Sequence, residues 1–174
     1  DKETLGSLPS SIEDNITSKT KIIVAQHSFG IPCKVNEIVD IAKKHNIFLL
    51  EDCAISIESS LNNVSVGNWG DAAIFSTDHT KPINTLIGGF LYSNNDALMK
   101  KVKAYQQSLP YLSKDHSKRI LNQFIFEMRF FNPRLYGITK YFNSLNKKIM
   151  QNQFVFLEQD YSKPSVDKTS YPYP

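Results

Sequence analysis

The stretch IIVAQHSFGIPCKVNEIVDIAKKHNIFLLED, residues 22–52, decides the fold. It opens with Ile22-Ile23-Val24-Ala25-Gln26, a continuous run rich in β-branched residues, as expected of a strand buried on both faces. Gly30 and Pro32 mark a loop. Val35, Ile38, Val39 and Ala42 then recur at helical spacing on one face. Lys43, Lys44 and His45 fall in the last turn of that helix, where cations suit the negative end of the dipole, and Asn46 can close it. A second apolar run, Ile47-Phe48-Leu49-Leu50, ends at the acids Glu51 and Asp52. Strand, helix and strand in this order form a parallel β-α-β unit with a right-handed crossover.

Working outward, a polar loop at residues 62–68 leads into a third strand, Ala72–Ser76, and residues 88–93 read as a further one. Asn95 or Asp96 caps a helix whose inner face carries Leu98, Val102 and Tyr105. The fold class is therefore α/β, a mostly parallel sheet flanked by helices, followed by a helical segment. In that segment Leu121, Phe124, Ile125, Met128 and Phe131 form one stripe, stopped at Asn132-Pro133, and Ile138, Phe142, Leu145 and Ile149 form another. Phe126 and Phe130 widen the apolar surface, which points to contact with another domain or subunit. Pro164, Pro172 and Pro174 sit among polar residues and read as an extended tail. The expected division is residues 1–110, 111–155 and 156–174.

Composition sets the outer limits. At 174 residues the chain holds one sizeable core or one part of a larger domain. Hydrophobic residues are 41% and charged residues 21%, which excludes general disorder. The net charge of +3 is small and the lysines are scattered, so nucleic acid is not an expected partner. No apolar run approaches the ~20 residues of a membrane span, and the first residues lack the layout of a secretory signal. Two cysteines, Cys33 and Cys53, show no metal-type pairing, so no metal is expected and a reducing cytoplasm is the expected compartment.

Chemistry concentrates at strand ends. Asp52 closes the second strand, Ser76 closes the third, and Lys81 follows Ser76 with Gly88 and Gly89 beyond it. In open parallel sheets ligands collect beyond the carboxyl ends of the strands. An amine, a carboxylate and a hydroxyl placed there suit pyridoxal 5′-phosphate: an amine for its aldehyde, an anion for its ring nitrogen, a donor for its phosphate.

The chain resembles the DegT/DnrJ/EryC1/StrS family of fold-type-I, pyridoxal-phosphate-dependent sugar aminotransferases. The segments that carry the resemblance are His27-Ser28-Phe29-Gly30-Ile31-Pro32, Ile41-Ala42-Lys43-Lys44-His45 and Glu51-Asp52-Cys53-Ala54. They continue through Val66-Gly67-Asn68-Trp69-Gly70-Asp71-Ala72-Ala73-Ile74-Phe75-Ser76, Thr80-Lys81 and Gly88-Gly89. The resemblance runs over residues 10–105. It implies that residues 1–110 are the later half of the cofactor-binding large domain, and that the stretch is either an incomplete part of a longer polypeptide or a degenerate or split gene product. It implies Lys81 as the residue that holds the cofactor and moves the proton, Asp52 as the partner of the pyridine nitrogen, and Ser76 as a phosphate ligand. His27 and His79 are near-site candidates, with a hydrogen-bonded structural role as the alternative for His27. The implied reaction moves an amino group from an amino acid, usually glutamate, to a nucleotide-linked keto sugar, in a homodimer. Sugar dehydratases of the same family typically carry histidine in place of the lysine, and Lys81 speaks for the transaminase. The chain departs from the pattern at Ile55, where the family commonly has glutamine or histidine, at Thr77-Asp78-His79, and at Leu86-Ile87. These departures keep a second class open, a catalytically inactive interaction or regulatory module on the same scaffold.

Overall fold

The computed structural model describes residues 1–78, 81–130, 133–138 and 141. In chain order the elements are α1 (Pro9–Asp14), β1 (Ile22–Gln26), α2 (Val35–Lys44), β2 (Phe48–Asp52), β3 (Ser60–Leu61), β4 (Val64–Ser65), β5 (Ala72–Ser76), β6 (Gly89–Tyr92), α3 (Asp96–Ser108) and α4 (Lys114–Phe130). One compact unit spans Asp1–Ala104 and a second begins at Tyr105.

The first unit is built on a four-stranded sheet of order β1-β2-β5-β6. β1, β2 and β5 run parallel, and β6 returns antiparallel along β5. The β-α-β expectation holds, and α2 ends as its sequence dictates. Asn46 adopts φ 52°, its N–H bonds the Lys43 carbonyl at 3.1 Å, and the Ile47 N–H bonds the Ala42 carbonyl at 2.9 Å. This is the paired hydrogen-bond pattern of a Schellman stop, with asparagine in the left-handed position that glycine more often fills. The turn delivers Ile47 into the core beside Ala42. Glu13 of α1 then fastens the helix end, accepting from Lys44 Nζ at 2.6 Å and lying 3.2 Å from His45 Nε2.

One expectation is corrected. β1 is not buried on both faces: its pattern alternates, with Ile23 and Ala25 buried but Ile22 and Val24 56% and 54% exposed. Ile23, Ala25 and Leu49 pack with Val35, Ile38 and Ala42 of α2 in one core, which Trp69 and Ile12 flank. Among the described residues of the first unit, no helix packs closely on the opposite face, where Ile74 is also exposed. Parallel sheets are normally covered on both sides, so the run reads correctly as a parallel strand while half its apolar surface lies open. The faces can be separated experimentally with one chemistry at adjacent positions. Ile23→Val should cost about 0.5–1.5 kcal/mol, whereas Ile22→Val should stay within about 0.5 kcal/mol, both read from urea midpoints.

Two further differences are local. The polar loop at residues 62–68 begins inside a hairpin, β3 paired antiparallel with β4, turning through Asn62 and Asn63 at φ 52° and 62°. Two consecutive positive φ values are what a tight two-residue hairpin turn needs, and asparagine tolerates them. α1 was not apparent in the periodicity because it is a single short stretch begun by Pro9.

In the later part, Asn95 Oδ1 accepts the Leu98 N–H at 3.1 Å and caps α3, as expected, although Tyr105 is exposed rather than inward. Ser113 Oγ accepts the His116 N–H at 3.2 Å and caps α4. Along α4 the expected stripe exists, but Leu121, Phe124, Ile125 and Met128 are all exposed, and Gln123 is the residue buried on this helix. Phe131, Asn132, Phe142, Leu145, Ile149 and the tail lie outside the described residues, as does His79. No helix among the described residues is long and apolar enough to cross a membrane.

Candidate active site

The three parallel strands end at one edge of the sheet, and their register fixes what meets there. Gln26 pairs with Asp52, and Asp52 pairs with Ile74. Ser76 lies two residues beyond Ile74 on β5, so Gln26, Asp52 and Ser76 project from the same face, the open one. Strand spacing and rise put the Asp52 and Ser76 backbones about 8 Å apart. Both side chains are half-buried. Asp52 Oδ1 accepts the Ala54 N–H at 3.0 Å, and among the described residues its second oxygen takes no hydrogen bond. Ser76 Oγ faces the Asp78 N–H at 3.4 Å.

Lys81 sits in the connection from β5 to β6, half-buried, with its N–H on the Asp78 carbonyl at 2.9 Å. Among the described residues its ammonium makes no ion pair. The neck of this connection is stitched shut. Thr77 N–H bonds the Gly88 carbonyl at 3.0 Å, Thr85 N–H bonds the Thr77 carbonyl at 2.9 Å, and the two threonine hydroxyls meet at 2.7 Å. Gly89 stands opposite Ser76, and a Cβ there would collide with the Phe75 carbonyl oxygen. Beside it the Phe75 and Phe90 rings stack with centroids 4.6 Å apart. Thr77 and Thr85 are thus part of what holds the Lys81 connection, and nothing in their residue type marked them beforehand.

His27 and Glu51 turn the other way, into the interior. Both are fully buried. Glu51 Oε1 accepts the Trp69 and Gly70 N–H groups at 2.8 and 2.7 Å. Its Oε2 accepts the Gly67 N–H at 2.7 Å and lies 3.2 Å from His27 Nε2. His27 Nδ1 in turn accepts the Cys33 N–H at 3.2 Å, which places the neutral ring's proton on Nε2, facing Glu51. Burial opposes ionisation of Glu51, but the hydrogen bonds from His27, Gly70, Gly67 and Trp69 outweigh it and hold the carboxyl below its ordinary value. In the sequence Glu51 stands out only as the neighbour of Asp52. Strand alternation was the available signal, since it sends residue 51 to the core face whenever residue 52 faces out.

Burial, and then the Glu51 charge, push the Cys33 thiol up to about 11 and the Cys53 thiol up to about 12. Both cysteines are free and buried. His27, Glu51 and Cys53 bring metal-type donor atoms within 4.8 Å of one another. The hydrogen bonds already use both ring nitrogens and both carboxylate oxygens, and the thiol keeps its proton, so the cluster is closed as it stands. A cavity of about 390 Å³ lies at the other end of β2, lined by Ile47, Phe48, Leu49, Trp69 and Lys43, away from Asp52 and Ser76.

The order of these groups along the chain is that of one known family, whose model matches residues 1–134. The chain belongs to the DegT/DnrJ/EryC1/StrS aminotransferase family. A GDP-perosamine synthase of Escherichia coli O157:H7 is 41% identical over 98 residues, covering 56% of this chain and 27% of that enzyme. An aminotransferase structure from Psychrobacter cryohalolentis superposes with a TM-score of 0.61 at 33% identity, over 67% of this chain and 29% of that one. The E. coli GDP-4-keto-6-deoxy-D-mannose-3-dehydratase with bound hydrated PLP superposes with a TM-score of 0.51 at 30% identity, over 55% of this chain and 25% of that one. The chain therefore spans little more than a quarter of the family members it matches. The mostly parallel sheet flanked by helices is the corresponding part of their fold-type-I domain.

Proposed function

We propose that this chain carries the cofactor-anchoring part of a pyridoxal-phosphate-dependent aminotransferase that moves an amino group from glutamate to a nucleotide-linked keto sugar. One observation carries the reading. Asp52 and Ser76 share the open face at the carboxyl edge of the sheet, and Lys81 stands in the connection leaving that edge. The residues fit the group chemically: a carboxylate with an oxygen to spare, a hydroxyl, and an amine with no ion pair among the described residues.

When bound, the cofactor supplies an electron sink for the carbon that loses or gains a proton. Asp52 would pair with the ring nitrogen and keep it protonated, and Ser76 would serve the phosphate. Lys81 would hold the cofactor through its amine and act as the acid/base that moves the proton. The apolar surface at Ile22, Val24 and Ile74 on the same face takes the cover that shuts water out, supplied by polypeptide outside this stretch. The reading includes a homodimer in the cytoplasm. Two buried free thiols suit a reducing compartment, and the exposed stripe of α4 suits a protein interface.

A second reading has one observation in its favour. Ile55, three residues after Asp52, offers no hydrogen bond to a ring, as an inactive interaction module on this scaffold would tolerate. Titration with pyridoxal phosphate followed by borohydride reduction and peptide mapping separates the two. Reduced cofactor fixed on Lys81 at stoichiometry one is the expected result. Label spread over surface lysines, with no preference for Lys81, would sink the enzyme reading and leave the module.

A further inference from the structure

We infer that His27 and Glu51 form a positioning clamp that sets the orientation of Asp52, an inference that rests on the cofactor role proposed for Asp52. The clamp grips both residues of the Glu51-Asp52 pair. His27 gives its backbone N–H to the Asp52 carbonyl at 3.1 Å and its ring to the Glu51 carboxylate at 3.2 Å. On the other side, the Cys53 N–H bonds the Ile74 carbonyl at 2.9 Å and ties the same turn to β5. Glu51 also gathers three backbone N–H groups of the segment before β5, those of Gly67, Trp69 and Gly70. A carboxylate filling such a set of amides fixes the segment and cannot rotate. In a strand, locking residue 51 on the core face locks residue 52 on the other. Asp52 is therefore aimed by groups on the far side of the sheet from any ligand it meets. Neither His27 nor Glu51 touches that ligand; they act through Asp52.

Glu51→Gln tests the clamp in the full chain. A glutamine keeps one oxygen for Trp69 and Gly70, but turns an amide N–H₂ toward the Gly67 N–H and toward His27 Nε2. The histidine proton should then move to Nδ1, displacing the Cys33 N–H, and the ¹⁵N ring shifts should exchange their pattern. Amide exchange should rise at least tenfold at Ala54, whose N–H bonds Asp52 Oδ1, and at His27, relative to amides of α2. The dissociation constant for pyridoxal phosphate should rise at least tenfold in step. A merely structural glutamate would lower protection in α2 and at Ala54 together and leave no such contrast.

His27→Gln and His27→Leu provide the second arm if Glu51→Gln does not fold. The glutamine carries one donor for Glu51 and one acceptor for Cys33, so Ala54 exchange should stay within twofold of wild type, while the leucine should raise it tenfold. Unchanged Ala54 exchange in a folded Glu51→Gln or His27→Leu variant overturns the clamp. The cofactor reading fails separately: wild type that captures no pyridoxal phosphate, with the exchange contrast intact, removes the enzyme and leaves the clamp standing.

Discussion

Lys81→Ala is expected to abolish covalent capture of pyridoxal phosphate while leaving the fold almost untouched. The two halves of that result have different physical causes. Capture requires a primary amine, and alanine has none, so borohydride-fixed cofactor on the peptide that contains residue 81 should fall to background. Stability depends on what Lys81 contacts. It is half-buried, holds the chain through its backbone bond to Asp78, and makes no ion pair among the described residues. Removing such a side chain should change the unfolding free energy, read from the urea midpoint, by no more than about 0.5 kcal/mol. Lys81→Arg sharpens the test, since it keeps the charge but replaces the amine with a group that stays protonated. It should keep the positive charge in the β5–β6 connection and still yield no fixed label. Capture surviving in either variant would move the anchoring role to another lysine and with it the reading of the β5–β6 connection.

What the sequence made legible follows from how locally each feature is determined. The β-α-β unit was readable because its signals lie within a few residues of the groups they act on: Val35, Ile38 and Ala42 make one helical face, and the turn at Asn46 closes the helix as the Asn46 and Ile47 N–H groups bond the Lys43 and Ala42 carbonyls. The strand ends at Asp52 and Ser76 were readable for the same reason. Burial on the two faces of β1 was not, because Ile22 and Ile23 are identical side chains whose environments differ only through what packs from elsewhere. The β3–β4 hairpin hid in a polar stretch because Asn62-Asn63 signals a loop as strongly as a tight turn, and only the partners Ser60 and Ser65 decide between them. The family resemblance located Asp52, Ser76 and Lys81 as a group. It gave no weight to Glu51, whose role depends on three amides that arrive from the segment before β5.

Glu51→Ala is the substitution expected to cost most stability. Its carboxylate is the acceptor for the Gly67, Trp69 and Gly70 N–H groups and the partner of the His27 ring, and both Glu51 and His27 are fully buried. Alanine leaves those donors buried without acceptors and opens a void beside them. Removing one side of a buried charged network costs about 3–5 kcal/mol, against a total of about 5–15 kcal/mol for an ordinary domain. The variant should therefore unfold at much lower urea than wild type, or fail to fold, where Glu51→Gln retains part of the network. The pH dependence has a definite sign. The carboxyl of Glu51 titrates below its ordinary 4.5 in the folded chain, so ionised Glu51 contributes its full stabilisation above that value. The contribution drains away as the pH falls through the lower, folded value, because the proton then binds the unfolded chain more readily than the folded one. Alanine at 51 has nothing to lose on acidification. The gap in urea midpoint between wild type and Glu51→Ala should accordingly be widest above the ordinary value and narrow steadily as the pH falls below it. Carboxylates elsewhere, including Glu13 in its exposed pairing with Lys44 and His45, contribute equally to both chains and cancel in that difference. A gap that stays constant across the range would mean that Glu51 acts by filling space rather than by its charge, and the anchoring of the segment before β5 would need another source.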